Sequence, residues 1–202
     1  MKLIWKIVSI AAAVLLLLGI VSIGVSLVTG GSLEGIRNNV MLTNEQRDFG
    51  DAPPTALRVT CAAGRLTVLP GDTLRVEARN VPERSFVCTL SDGVLTVGEE
   101  RASSWSDNLS RALSLQKTPP EICIYLPEDT ALRCAEIELS AGEAVLTLPG
   151  TAADYTAELQ AEAGSVHYEG RIYSFGESSV GNGAASLMLH SIAGEIYVGF
   201  CG

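Results

Sequence analysis

The spacing of hydrophobic residues divides this chain into two regimes. Residues 7–31 (IVSIAAAVLLLLGIVSIGVSLVTGG) carry no charge. As a helix rising about 1.5 Å per residue, a run of this length crosses a hydrocarbon core about 30 Å thick. From Leu57 onward the period becomes two. Leu57, Val59 and Cys61 alternate with Arg58 and Thr60, and the same alternation returns in Leu66/Val68, Leu74/Val76/Ala78, Phe86/Cys88/Leu90 and Leu95/Val97. It continues in Ile122/Ile124/Leu126, Ile137/Leu139, Leu146/Leu148, Tyr155/Ala157/Leu159/Ala161, Val166/Tyr168, Leu187/Leu189 and Ile196/Val198/Phe200. Period two over short runs predicts half-buried strands, about a dozen of them.

The turns between these runs repeat one another. Ala62-Ala63-Gly64, Ser91-Asp92-Gly93, Ser140-Ala141-Gly142, Glu162-Ala163-Gly164 and Ile192-Ala193-Gly194 each precede a strand pattern. Glycine permits the positive φ or close backbone approach that such corners need, so Gly64, Gly93, Gly142, Gly164 and Gly194 are the expected structural turn glycines. Recurrence of one turn type marks a repeat, and the spacing between turns is unequal. The expected fold is all-β, a short irregular β-solenoid in which each coil covers the hydrophobic face of the last. A two-sheet β-sandwich is the alternative, because short strands with frequent turns describe it equally well.

One segment interrupts the alternation. Residues 99–118 (EERASSWSDNLSRALSLQKT) place Trp105, Leu109, Ala112 and Leu113 at helical spacing, and Pro119-Pro120 end the segment. It reads as an insertion carrying a short amphipathic helix or loop. Trp105, Leu109 and Leu113 are its candidate partner-contact residues, since tryptophan is enriched at interface hot spots. The plain alternative is packing on the domain's own flank. The chain thus divides into a head (1–6), an apolar helix (7–31), a linker (32–56) closed by Pro53 and Pro54, and a β-repeat domain (57–202).

Charge orients this arrangement. Lys2 and Lys6 precede the apolar run, so the positive-inside rule predicts a cytoplasmic N-terminus and a single-pass protein in the cell membrane with an extracytoplasmic domain. A cleaved signal peptide is the competing reading. The run is longer than a typical signal core, and SLVTGGSLEG at its end offers no good small-x-small cleavage site. Of 14 Lys and Arg, 12 follow the apolar run against 23 Asp and Glu, a net −11. Such a domain repels nucleic acid and anionic lipid and suits cationic partners.

No chemistry-bearing motif stands out. The five cysteines, Cys61, Cys88, Cys123, Cys134 and Cys201, form no C-x-x-C and no zinc spacing with histidine. Cys61, Cys88 and Cys134 are expected on the hydrophobic face as buried thiols, and Cys201 near the end as the exposed one. His167 and His190 sit in strand patterns, away from any ligand or triad spacing. Asp72, Asp92, Glu143 and Glu195 flank turns without matching a calcium loop. No catalytic residue, metal ligand or cofactor is expected; a Ser-His-Asp set is defined by geometry and not by order, and no G-x-S-x-G elbow supports one here.

Several of these features together resemble a known family. The anchor, the repeated turns, the Ile122-Cys-Ile-Tyr-Leu-Pro127 strand, Ile137-Glu-Leu-Ser-Ala-Gly142 and Gly194-Glu-Ile-Tyr-Val198 resemble the bacterial putative adhesin family, a domain of unknown function. The resemblance spans about residues 57–200, and 171–183 (RIYSFGESSVGNG) depart from its regular ladder. It implies a right-handed β-helix-like domain tethered in the bacterial envelope, and no catalytic residues. Expected partners are an envelope protein, a glycan or a wall polymer. Two other readings stay open. One is an envelope-stress sensor that contacts a second membrane protein laterally, with Gly19, Ser22, Gly24 and Ser26 available for helix pairing. The other is a wall-polymer hydrolase, which rests on fold analogy alone.

Overall fold

The structure is a computed structural model that describes residues 41–99 and 119–202. The head, the apolar run 7–31 and the insertion residues Trp105, Leu109 and Leu113 lie outside the described residues. Among the described residues no helix is long and apolar enough to cross a membrane. The one short helical turn among them is the 3-10 turn Ala152–Asp154.

The domain is all-β, a 13-stranded sheet built from bent units. A unit is a strand, a corner, and a second strand that runs on at an angle. β2 (Ala56–Cys61) and β3 (Gly64–Gly71) make one such unit. β8 (Cys134–Leu148) and β13 (Ala185–Phe200) each pass through the corner as one continuous strand. β9 (Tyr155–Ala161) and β10 (Ser165–Tyr168) make another. β6 (Val94–Glu99) and β7 (Glu121–Pro127) make the last.

The units stack in parallel. Along the first leg the order is β6, β2, β8, β13, β9. Along the second it is β7, β3, β8, β13, β10. Both legs turn alternate residues inward to one shared core that includes Leu57, Val59, Leu66, Val68, Leu95, Ile124, Ile137, Leu146, Leu159 and Leu187. Every alternating run in the sequence falls on these strands or their antiparallel neighbours, with Leu74 just before β4 (Arg75–Pro82).

Stacking does not follow chain order, which corrects the expected coil-upon-coil arrangement. The β2–β3 unit lies between β6–β7 and β8, and β13 lies between β8 and β9–β10. The cause is visible in the chain between the units. After β3 the chain forms β4 and β5 (Phe86–Ser91), which pair antiparallel with β7 and β6. After β10 it forms β11 (Arg171–Tyr173) and β12 (Gly176–Gly181), which pair antiparallel with β10 and β9. Each antiparallel excursion separates consecutive units and lets another stack between or beside them.

The linker also contributes structure. Residues 42–48 form β1 (Leu42–Asp48), antiparallel to β4 with a register shift between Thr43 and Glu45. The irregular stretch 171–183 supplies β11 and β12.

The corners explain the repeated glycines. Gly64 pairs with Gly142, and Gly142 with Gly194, in adjacent parallel strands. A Cβ on Gly142 would overlap the Gly64 carbonyl, one on Gly64 the Pro120 carbonyl, and one on Gly164 the Gly194 carbonyl. Only hydrogen fits in this column, because stacked corners bring backbone onto backbone. Gly93 is different. Asp92 and Gly93 have φ of 51° and 77°, the paired positive values of a two-residue hairpin turn joining β5 to β6. Its sequence looked like a corner because Asp-Gly and Ala-Gly share the small-residue pattern. Within one corner, buried Ser191 donates from its hydroxyl to the Gly194 carbonyl at 2.6 Å.

Candidate functional site

The alternation that fills the core also writes the two outer faces. On the first leg, one outward row runs Thr96, Arg58, Glu136, Met188, Glu158, Ser179 across six strands, each residue in register with the next. The adjoining row runs Gly98, Thr60, Glu138, His190, Gln160, Glu177. β8, β13, β9 and β12 together make a shallow groove of about 570 Å³ there. Its lining includes Glu136, Glu138, Glu158 and Glu177, with Met188 in register between Glu136 and Glu158 and His190 between Glu138 and Gln160.

Two polar pairs on this face join neighbouring units among the described residues. The Arg58 Nε donates to Glu136 Oε2 at 2.8 Å, and His190 Nε2 lies 3.2 Å from Glu162 Oε1. The lining is rich in carboxylates, which gives the groove an acidic character.

The second leg presents a different face. One outward row runs Ser165, Glu195, Glu143, Arg65, Glu121, Arg79. Arg65 binds Glu143 at 3.0 Å, within a row of three glutamates and two arginines. The next row contains Ile172, His167, Tyr197, Val145, Thr67 and Cys123. His167 and Tyr197 stack at 4.3 Å between centroids. The Tyr197 hydroxyl donates to Glu195, and this bond to the carboxylate raises the phenol pKa. Arg75 lies 4.4 Å over the Tyr125 ring on the same face.

Among the described residues this face brings a serine and a histidine together. Ser165 Oγ and His167 Nε2 are 3.1 Å apart. They are i and i+2 on a four-residue strand, which places them side by side whatever their role. The histidine ring stacks on Tyr197. The thiols are no better placed. Burial pushes Cys61 up to about 12 and Cys88 up to about 11, leaving both protonated at neutral pH.

Sequence-derived candidates are distributed as follows. Gly64, Gly142, Gly164 and Gly194 meet in the corner column, and Gly93 sits apart in its hairpin. His167 and His190 face outward on different legs. Glu143 and Glu195 are register neighbours, away from Asp72 and Asp92. Cys61 and Cys88 are buried as expected, but Cys134 is half-buried on the outward side, in register with Ala56 and Ser186. Its parity follows Glu136 and Glu138, not Ile137. All five cysteines are free thiols, and Cys201 is exposed. Among the described residues no group of three or more His, Cys, Asp or Glu is placed to hold a metal ion.

The acidic groove was not singled out from the sequence. Outward parity was readable for each glutamate, but their convergence depends on β13 lying between β8 and β9.

Comparison with known proteins adds the following. No family model matches the chain, and no curated protein matches it. Among solved structures it is similar to a putative cell adhesion protein from Clostridium sporogenes ATCC 15579, at 14% identity and TM-score 0.41, over 80% of this chain and 100% of that one. It is also similar to a putative adhesin from Bacteroides fragilis NCTC 9343, at 9% identity and TM-score 0.33, over 77% and 97% of the two chains. A third, a putative adhesin from Parabacteroides distasonis ATCC 8503, aligns at 12% identity and TM-score 0.31, over 80% and 66%. TM-scores this low do not establish a shared topology.

Proposed function

We propose that this is a membrane-anchored envelope protein whose extracytoplasmic domain, an irregular β-solenoid with units stacked out of chain order, binds a positively charged partner without catalysing a reaction. The observation that carries the reading is the groove on the first leg. It is an open groove of about 570 Å³ whose lining includes Glu136, Glu138, Glu158 and Glu177. An open acidic surface with Met188 at its centre suits a protein segment or wall polymer carrying amines better than it suits a small substrate, which is held in a deeper and mostly apolar cavity. The uncharged run 7–31 and the basic head supply the anchoring and the orientation.

Two measurements test this. Protease treatment of intact protoplasts should release peptides from residues 57–200, and protection of those peptides until lysis removes the extracytoplasmic reading. The purified full chain should then retain isolated wall sacculi or a lysine-rich peptide, with binding that falls as salt rises. Glu158→Lys with Glu177→Lys should abolish that retention and leave the strand spectrum unchanged. Undiminished binding by this variant moves the site off the groove.

A further inference from the structure

Each leg of the sheet ends in antiparallel strands: β5 and β12 on the first leg, β1 and β11 on the second. An open edge is a template for another strand, and proteins blunt such edges with charge, bulges, short length or poor strand formers. Three of these edges are blunted. β1 has a register shift at Thr43/Glu45, and its Glu45 and Arg47, paired at 3.2 Å, occupy the row that continues through Ala78 and Val76 into the core. β11 has three residues, one of them Arg171. β12 (GESSVG) has glycine at both ends, two serines and Glu177, a composition of low strand propensity.

Among the described residues β5 carries none of these devices. Its sequence, FVCTLS, contains no charge, proline or glycine and is rich in strand formers. It pairs with β6 in unbroken register from Phe86↔Glu99 to Ser91↔Val94. Among the described residues β6 is its sole strand partner.

We propose that this edge is a self-association surface, on which β5 of a second copy adds as an antiparallel strand across a two-fold axis at Cys88. The sequence of the edge is complementary to itself in that register. Phe86, Cys88 and Leu90 turn to the core side, and Val87 and Thr89 turn outward. The two-fold axis sets Phe86 against Leu90 on the core side and Val87 against Thr89 on the outer side, and no like charges meet. It also brings Arg84, just before the strand, towards Asp92, just after it, so unlike charges close both ends of the ladder. A one-residue slip sets core-facing side chains against outward-facing ones and is excluded, and among the remaining registers this one brings Arg84 towards Asp92 at both ends. The result continues the first leg from one copy into the next. It doubles the acidic grooves on a single assembly, which raises avidity for a repetitive partner.

The test is sedimentation equilibrium of the full chain in density-matched detergent. Wild type should show a concentration-dependent monomer–dimer equilibrium. Val87→Lys with Thr89→Lys sets lysine opposite lysine twice and should weaken the dimer by at least about tenfold. Val87→Lys with Thr89→Glu sets unlike charges opposite and should restore it. Ser22→Leu with Ser26→Leu should leave the dimer intact, and loss of the dimer in that variant assigns association to the apolar helix and overturns the proposal. A wild-type monomer at every concentration overturns it too, as does a dimer indifferent to the lysine pair. Deuterium uptake of wild-type β5 amides gives a readout independent of variants. Uptake should slow as concentration rises, and protection that is equal at all dilutions would mean that another segment covers the edge.

Discussion

Gly64 and Gly142 lie in register on adjacent parallel strands, with the Gly64 carbonyl occupying the place where a Gly142 side chain would stand. Both residues have φ well inside the positive region, 114° and 109°. The same contact repeats up the corner from Gly142 to Gly194 and from Gly194 to Gly164. Two sheet legs meet along this line, so its width decides whether the legs can share one core.

Gly142→Ala should therefore destabilise the domain by about 3 kcal/mol or more, combining a left-handed backbone strain with a backbone overlap that no rotamer relieves. Gly50 has a similar φ of 72° and nothing within 4 Å of an added Cβ. Gly50→Ala should cost only about 1 kcal/mol, the conformational part alone. Urea unfolding of both variants, followed by circular dichroism, separates the two contributions. Equal losses would show that packing in the corner column is unimportant.

Truncation in the shared core should be costly wherever it falls. Leu146 is 1% exposed on β8, the strand that runs through both legs. Leu146→Ala should lose about 2–5 kcal/mol from the removed methyls and the cavity left behind. The expected signature is a lower urea midpoint at an unchanged slope.

Ion pairs on the outer faces should contribute little to stability. Arg58 and Glu136 side chains are 61% and 44% exposed, so a double-mutant cycle should give a coupling of about 0.2–1 kcal/mol that shrinks with salt. The pair aligns neighbouring units and trims the charge of the groove. A coupling well above that range would mean that solvent does not reach the pair.

Alkali should unfold the domain earlier than exposed side chains would predict. Burial raises Cys61 from 9.0 to about 12, Cys88 from 9.0 to about 11, and Tyr155 from 10.0 to about 12. The Tyr155 hydroxyl donates to the Pro149 carbonyl at 2.7 Å. A folded-state pKa above the unfolded value favours folding while the group is protonated. Stability from these groups is complete below about pH 9 and falls as pH rises towards 12. Stability measured from pH 8 to 12 should decline through that window, and a flat profile would contradict their burial.

The thiols should also sort by exposure in a labelling experiment. Iodoacetamide at pH 8 should modify Cys201 first, while Cys61 and Cys88 should react only after denaturant is added. Rapid labelling of Cys88 in the native protein would place that strand outside the core.

Strand identity was legible residue by residue. Leu57/Val59/Cys61 and Ile196/Val198/Phe200 announce themselves because a strand half in water must alternate, and period two survives any choice of neighbours. Cys134 shows the limit of reading by composition, since its hydrophobic character suggested the core while its parity with Glu136 and Glu138 puts it outside. β1 and β12 were missed for a related reason. LTNEQRD and GESSVG carry too few apolar residues to alternate, and they are strands because β4 and β9 offer them partners.

What the sequence determined by itself is the material of the domain: the inward and outward faces of each strand, the glycines at the corners, the acidic balance and the charge-free run before it. These are local properties, set by side-chain period, by backbone sterics and by the absence of charge. Tertiary structure alone decided which strands are neighbours. That β13 lies between β8 and β9, and so gathers Glu136, Glu138, Glu158 and Glu177 around one groove, follows from antiparallel excursions that displace consecutive units. Parallel pairing joins segments far apart in the chain, and any two strands of matching alternation satisfy it equally well. Choosing between them requires the whole core to close at once, which no local pattern encodes.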